Sequence, residues 1–246
     1  MHILVLQHAV VEHPGIFQSF LVRDNHTYDT VELDQGAALP ALDGYDALWV
    51  MGGPMDVWQE VEHPWLKAEK ALIKDAVARR KLPFLGLCLG HQLLAEALGG
   101  QVAKSTTSEV GVMSVSLTAA GAAADIFAGL PPRFACLQWH SAEVTAMPAG
   151  AVCLAASVAC DVQAIQWGPH AFSAQFHMEL EPDTVHNWAQ IPEYAAALGA
   201  GGAERMAADA AAHMAGFNQM AEQLYTNWMA INGQRGVVAD FRAALT

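Results

Sequence analysis

Strand-like apolar runs alternate with helix-like periodicity through the first half of the chain. Residues 3–7, 30–33, 47–51 and 84–88 read as strands. Between the third and fourth, residues 64–80 carry Leu66, Ala71, Leu72, Ala76 and Val77 on one side. Lys67, Glu69, Lys70, Lys74 and Arg79 lie on the other, and Pro64 suits a first helical turn, so this stretch is a predicted amphipathic crossover helix. A second helix is predicted over 92–98, ending at Gly99-Gly100 where a left-handed C-terminal turn is expected. Such alternation is the pattern of a parallel sheet covered by helices.

From Val102 to Phe176 the pattern shifts to short β-rich segments: 112–117, 134–138, 151–155, 163–167 and 171–176, separated by Gly, Pro and Ser. These predict antiparallel strands or a mixed sheet edge. Beyond Pro182 the chain turns Ala- and Met-rich, with a break at Gly199-Ala200-Gly201-Gly202. Then Met206, Ala210, Met214, Phe217, Ala221, Leu224, Tyr225 and Trp228 recur at helical steps, so one stripe should pack on the core. The expected division is a catalytic-type domain over 1–182 and a helical extension over 183–246 packed on it.

Composition narrows the partners. The 246 residues are 53% hydrophobic and 15% charged, enough apolar side chain for a sizeable core without disulfide staples. Twenty-five Asp and Glu against 12 Lys and Arg give a net charge of −13, which argues against a phosphate-tracking surface and hence against nucleic acid. The N-terminal stretch lacks a basic leader region, and no run approaches the ~18 apolar residues of a membrane span. A soluble cytoplasmic protein with no membrane partner is expected.

The four cysteines, Cys88, Cys136, Cys153 and Cys160, are far apart and form no Cys-x-x-Cys pair, so they are expected as thiols. Only Cys88 sits in a special context. Residues 83–92 read Pro-Phe-Leu-Gly-Leu-Cys-Leu-Gly-His-Gln: an apolar strand, Gly-x-Cys-x-Gly, then a helix. This is a nucleophile elbow with cysteine in the serine position, where Gly86 and Gly90 make room for a tight turn. A sulfur at a helix N-terminus is stabilised as thiolate, and the Leu89 N–H points toward a nascent oxyanion.

A thiolate nucleophile needs a proton shuttle. At 172–179 an apolar-alternating strand ends in His177-Met178-Glu179, and the two-residue spacing puts His177 and Glu179 on the same side. His91, His140 and His177 lack metal-ligand spacing, and no metal is expected. His2, His8, His13, His26, His63, His170, His186 and His213 read as ordinary polar or surface residues. A third constellation is the strand 47–51 breaking into Gly52-Gly53-Pro54, where glycines allow backbone to approach a ligand and the Gly53 N–H is a candidate second oxyanion donor.

Strand-Gly-Gly-Pro, Gly-Leu-Cys-Leu-Gly-His-Gln and Gln-Phe-His-x-Glu, in that order, resemble the class I (triad-type) glutamine amidotransferases. The resemblance spans about residues 1–181. Glu109-Val110-Gly111, Gln138-Trp139-His140-Ser141 and Gln163-Ala164 look most like the stand-alone branch related to the amidotransferase domain of GMP synthase. It implies a flavodoxin-like α/β fold: an open, mostly parallel sheet flanked by helices, with added antiparallel strands and a helical C-terminal segment.

By the same resemblance Cys88 is the nucleophile toward the γ-carboxamide of L-glutamine or another γ-glutamyl compound, His177 moves the proton, and Glu179 orients His177. The oxyanion donors fall on the N–H groups of Gly53 and Leu89. Substrate binding falls on Gly52, Gln92 and a closing loop at Trp139, His140 and Ser141. No cofactor is implied. The family commonly has proline where this chain has Met178, and no phosphate loop or synthetase half is present in the sequence, so released ammonia would serve a separate acceptor protein. Three readings stay open at this point: an amidotransferase or glutaminase, a γ-glutamyl peptide hydrolase on the same triad, and a non-catalytic binding or regulatory module.

Overall fold

Successive residues of a strand point to opposite faces, and the run from Ile3 to Leu6 is apolar at every position, so both faces of its sheet must be covered. The computed structural model describes residues 1–243, with side chains through residue 233. The last three residues of the predicted 183–246 segment lie outside the described residues. The strands are β1 His2–Gln7, β2 Thr27–Glu32, β3 Ala47–Val50, β4 Phe84–Leu87, β5 Gln101–Leu117, β6 Arg133–Ala146, β7 Ala151–Ala156, β8 Ala164–Trp167 and β9 Ala171–Ala174. Among the described residues these nine form one sheet in the order β2-β1-β3-β4-β9-β8-β7-β5-β6. The first five in that order are parallel, and β8, β7, β5 and β6 continue them antiparallel.

The helices are α1 Phe17–Arg23, α2 Trp65–Lys74, α3 Leu89–Ala97, α4 Ala119–Ala122, α5 Thr184–Trp188, α6 Pro192–Leu198 and α7 Gly202–Ala243. Strand parity sorts the core. Ile3, Val5, Trp49, Leu85 and Leu87 face α1 and α7, where they meet Phe17, Leu21, Tyr225 and Trp228. Leu4, Leu6, Leu48, Val50 and Phe84 face α2 and α3 against Leu66, Ile73, Leu89 and Leu93. Trp228 stands edge-on to Trp49 with ring centroids 5.5 Å apart, and its indole N–H donates to the Phe84 carbonyl at 3.2 Å. The predicted C-terminal stripe is buried at Met206, Ala210, Phe217, Ala221, Leu224, Tyr225 and Trp228, while Met214 is half-buried.

The open α/β sheet with antiparallel additions and a helical C-terminus is the expected architecture, but several boundaries differ. The short segments expected from Val102 onward include two long strands, β5 of 17 residues and β6 of 14. Much of β5 is exposed and irregularly polar, and its pairing slips between Lys104 and Glu109, so alternation along it is weak. Leu33 begins a 3-10 turn instead of ending β2, and the predicted strand 171–176 stops pairing regularly at Ala174. The crossover helix ends at Lys74 and continues as a π-helical turn, Asp75–Arg80. Its buried stripe is Leu66, Glu69 and Ile73, so Glu69 is not on the polar side and Ala71 is exposed.

Candidate active site

Four adjacent parallel strands, β1, β3, β4 and β9, end at the same edge of the sheet, the edge where open α/β sheets bind ligands. Each delivers part of the site just past its last paired residue. Cys88 follows β4 directly and precedes α3, and its N–H donates to the Ala174 carbonyl of β9 at 2.8 Å. Its backbone is held at φ +50°, a conformation L-residues adopt only under constraint. The elbow glycines are required sterically. A Cβ on Gly90 would lie 2.1 Å from the Val50 carbonyl oxygen, and one on Gly86 would lie 2.6 Å from that of Gly90.

His177 arrives three residues beyond β9, where it bridges Leu137 of β6: its N–H donates to the Leu137 carbonyl at 2.9 Å and its carbonyl accepts from the Leu137 N–H at 3.0 Å. Its Nδ1 donates to Glu179 Oε1 at 2.6 Å. All three residues, Cys88, His177 and Glu179, are buried. Burial works to lower the His177 pKa, but the Glu179 carboxylate and the nearby Cys88 sulfur hold it well above the ordinary imidazole value. The three residues expected as a triad thus come from the ends of the adjacent strands β4 and β9. The other cysteines are poorly suited to nucleophilic chemistry, because burial pushes the Cys136 thiol well up, Cys160 to about 12, and Cys153 upward.

A cleft of about 340 Å³, counted with its open mouth, lies over Cys88. Gly53, Leu89, Gln92, Trp139, His140 and Ser141 all line it. Gly52 sits one layer behind: a Cβ there would come within 2.5 Å of Glu12 Oε2 and 3.3 Å of His177 Cε1. One expectation needs correction. Trp139, His140 and Ser141 lie within β6 and not on a loop: Trp139 and His140 pair with Val110 and Glu109 of β5, and Ser141 sits at the register shift that follows. The Gln92 amide donates to Gln175 Oε1 at 3.0 Å and to the Ala142 carbonyl at 3.2 Å.

His140 is fixed between the Ala142 carbonyl, 3.0 Å from Nδ1, and Glu109 Oε2, 3.2 Å from Nε2. Glu109 also accepts from Ser157 Oγ at 2.9 Å and Gln163 Nε2 at 2.7 Å. Burial works to raise the Glu109 pKa, but these donors outweigh it and hold the carboxyl below its ordinary value. His91 turns away and bonds Ser173 Oγ at 2.9 Å; burial pushes it down to about 3, so it stays neutral at physiological pH.

Several residues at the site carry no sequence signal, or carry one that points elsewhere. Gln175 Nε2 lies 3.5 Å from Cys88 Sγ, and its position two residues before His177 is a usable clue. Glu12, just past β1, and Tyr194 of α6 are 182 residues apart, yet the phenol O–H donates to the Glu12 carboxylate inside the wall of the cleft. Burial raises the Glu12 pKa even with His177 and Tyr194 pulling it down. Trp188 of α5 stands edge-on to His177, its ring 4.7 Å away. His8 and His170, expected as ordinary polar or surface residues, are both buried: His8 bonds Gly52 and Glu69, and His170 meets the Val77 carbonyl at 3.0 Å.

A strand-elbow cysteine and a carboxylate-held histidine thus stand at the C-terminal edge of an open α/β sheet. Residues 16–187 match the family model of class I glutamine amidotransferases, and the chain belongs to that family. It is 30% identical over 194 residues to the amidotransferase-like protein YfeJ of Salmonella typhimurium, covering 77% of this chain and 80% of that one. It is 34% identical over 176 residues to one subunit of the glutamine-hydrolysing GMP synthase of Sulfurisphaera tokodaii, covering 70% of this chain and 89% of that protein. The crystal structure of a glutamine amidotransferase from Methylobacillus flagellatus superposes with a TM-score of 0.83 at 29% identity, over 94% of each chain. Among the described residues no helix is long and apolar enough to cross a membrane.

Proposed function

We propose that this chain hydrolyses the side-chain amide of L-glutamine through a Cys88-His177-Glu179 triad and a γ-glutamyl thioester. The observation that supports the reading is the pairing of Glu179 with His177 at the end of β9, the strand next to the one that carries Cys88 to the floor of the cleft. Cys88 Sγ attacks the γ-carbonyl carbon, and the oxygen takes up negative charge opposite the N–H groups of Gly53 and Leu89. His177 gives its proton to the departing nitrogen, the C–N bond breaks, and ammonia leaves a thioester on Cys88. Water then adds to the thioester with His177 accepting its proton, and glutamate is released as the thiolate returns. Glu179 holds the imidazole in place and stabilises its charged form.

The ammonia is transferred to an acceptor on a separate synthetase protein, in keeping with the relative whose name marks it as one subunit of a GMP synthase. The test is turnover of L-glutamine beside γ-glutamyl peptides, together with mass-spectrometric mapping of a glutamine-like electrophile. Glutamine hydrolysis with the adduct on Cys88 is expected. Preferential peptide cleavage would replace the amidotransferase reading with that of a γ-glutamyl peptide hydrolase. Failure of both turnover and labelling, with the acceptor protein present or absent, would leave a binding module.

A further inference from the structure

Beneath the Gly52-Gly53 turn lies a pair of side chains that the proposed chemistry does not use. His8, the first residue past β1, places Nδ1 2.8 Å from the Gly52 carbonyl oxygen and Nε2 2.9 Å from Glu69 Oε1 of α2. Both side chains are fully buried, at 0% exposure. An Nδ1 facing a carbonyl must carry a proton, and an Nε2 facing a carboxylate must too, so the ring acts as a charged double donor. Burial opposes that charge, but Glu69, the Gly52 carbonyl and Glu12 together raise the His8 pKa above its ordinary value. Trp65 stacks on the ring at 5.5 Å and limits its tilt.

As a stability device this pair is a poor choice. The second Glu69 oxygen is buried without a hydrogen-bond partner, and two apolar residues in the same space would avoid desolvating the charges. What the pair does hold is the orientation of one peptide group. The 52–53 peptide is trans, so its carbonyl and its N–H point in opposite directions. Fixing the Gly52 oxygen on His8 therefore turns the Gly53 N–H away from His8, and Gly53 lines the Cys88 cleft. Packing reinforces the clamp, because a Gly53 Cβ would come within 2.8 Å of His8 Cβ on one side and of Leu89 Cδ2 on another. The Gly52-Gly53 turn is thus sandwiched between His8 and the residue supplying the other N–H.

We propose that His8, braced by Glu69, is a positioning residue that locks the 52–53 peptide so that the Gly53 N–H is aimed at the oxyanion formed on attack by Cys88. The proposal rests on the triad reading for its reaction, but its test separates the two. Acetylation of Cys88 by p-nitrophenyl acetate passes through a tetrahedral oxyanion and needs no γ-glutamyl recognition. Alkylation of Cys88 by iodoacetamide is a displacement at a saturated carbon and forms no such oxyanion. Both rates are read on the folded full chain for wild type, His8→Asn, Glu69→Gln and the double variant His8→Leu/Glu69→Leu, which leaves no buried charge behind.

In the double variant, acetylation is expected to fall about 10- to 100-fold, the range expected when an oxyanion donor is mis-aimed. Alkylation should stay within about twofold, since thiolate formation is untouched. His8→Asn keeps a donor near the Nδ1 position and should recover most of the lost rate, while Glu69→Gln, which keeps the size of the brace, should lose several-fold. Acetylation at the wild-type rate in both Glu69→Gln and the double variant overturns the proposal, as does alkylation falling in parallel with acetylation. Wild-type protein that is acetylated on Cys88 in this pattern yet cleaves no γ-glutamyl compound sinks the functional reading and leaves the clamp standing.

Discussion

The backbone N–H of Met178 donates to Glu179 Oε2 at 2.9 Å, while the other carboxylate oxygen accepts from His177. The peptide between these two residues of the proposed triad therefore holds one of them. Proline, common at this position in the family, has no N–H to give. Met178→Pro is expected to free one Glu179 oxygen, lowering stability by about 1–2 kcal/mol and slowing glutamine turnover several-fold. Urea denaturation and steady-state kinetics check this; a variant equal to wild type in both would show the bond to be dispensable.

Glu179→Gln removes the carboxylate that keeps the His177 pKa up, leaving burial to pull it down. A catalytic form that needs protonated His177 is lost when the ring deprotonates, so the basic limb of the kcat/KM profile should move to lower pH, by about one unit or more. Activity should persist at reduced level below that limb. An unmoved limb would separate Glu179 from His177 titration. The raised His177 pKa also stabilises the fold: its contribution is full below the unfolded value of about 6.5 and is lost as pH rises through the folded value.

Cys88, the proposed nucleophile, sits on a backbone at φ +50°. Cys88→Ala and Cys88→Gly should both abolish turnover, but glycine relieves the strained conformation and alanine does not. The glycine variant is expected to be more stable than the alanine variant by about 1 kcal/mol, measured by thermal or urea unfolding. Equal stability would mean that the elbow is not strained there.

We propose that residues 1–182 and the helices after them unfold as one unit, since Trp228 of α7 is buried with Trp49 of β3 and Phe172 of β9 in one cluster. Trp228→Ala should cost about 3–5 kcal/mol and lower a single calorimetric transition. Two separate transitions, only one of them shifted, would contradict this.

The sequence by itself determined the elements whose signal is local. Apolar runs marked β1, β3 and β4 because strands covered on both faces need apolar residues at both parities, and Gly86 and Gly90 marked the elbow because only glycine fits against backbone at those distances. His177 and Glu179 were legible because two residues of separation already bring their side chains together. Tertiary structure decided what depends on strand order. It placed β9 beside β4, so that His177 and Cys88 leave neighbouring strands, and β1 beside β3, so that His8 reaches Gly52. Glu69 looked like a surface acid by helical period and is buried with one carboxylate oxygen on a histidine 61 residues away. Glu12 and Tyr194 meet across 182 residues for the same reason: a buried polar group is defined by its partner, and the chain's local pattern does not name that partner.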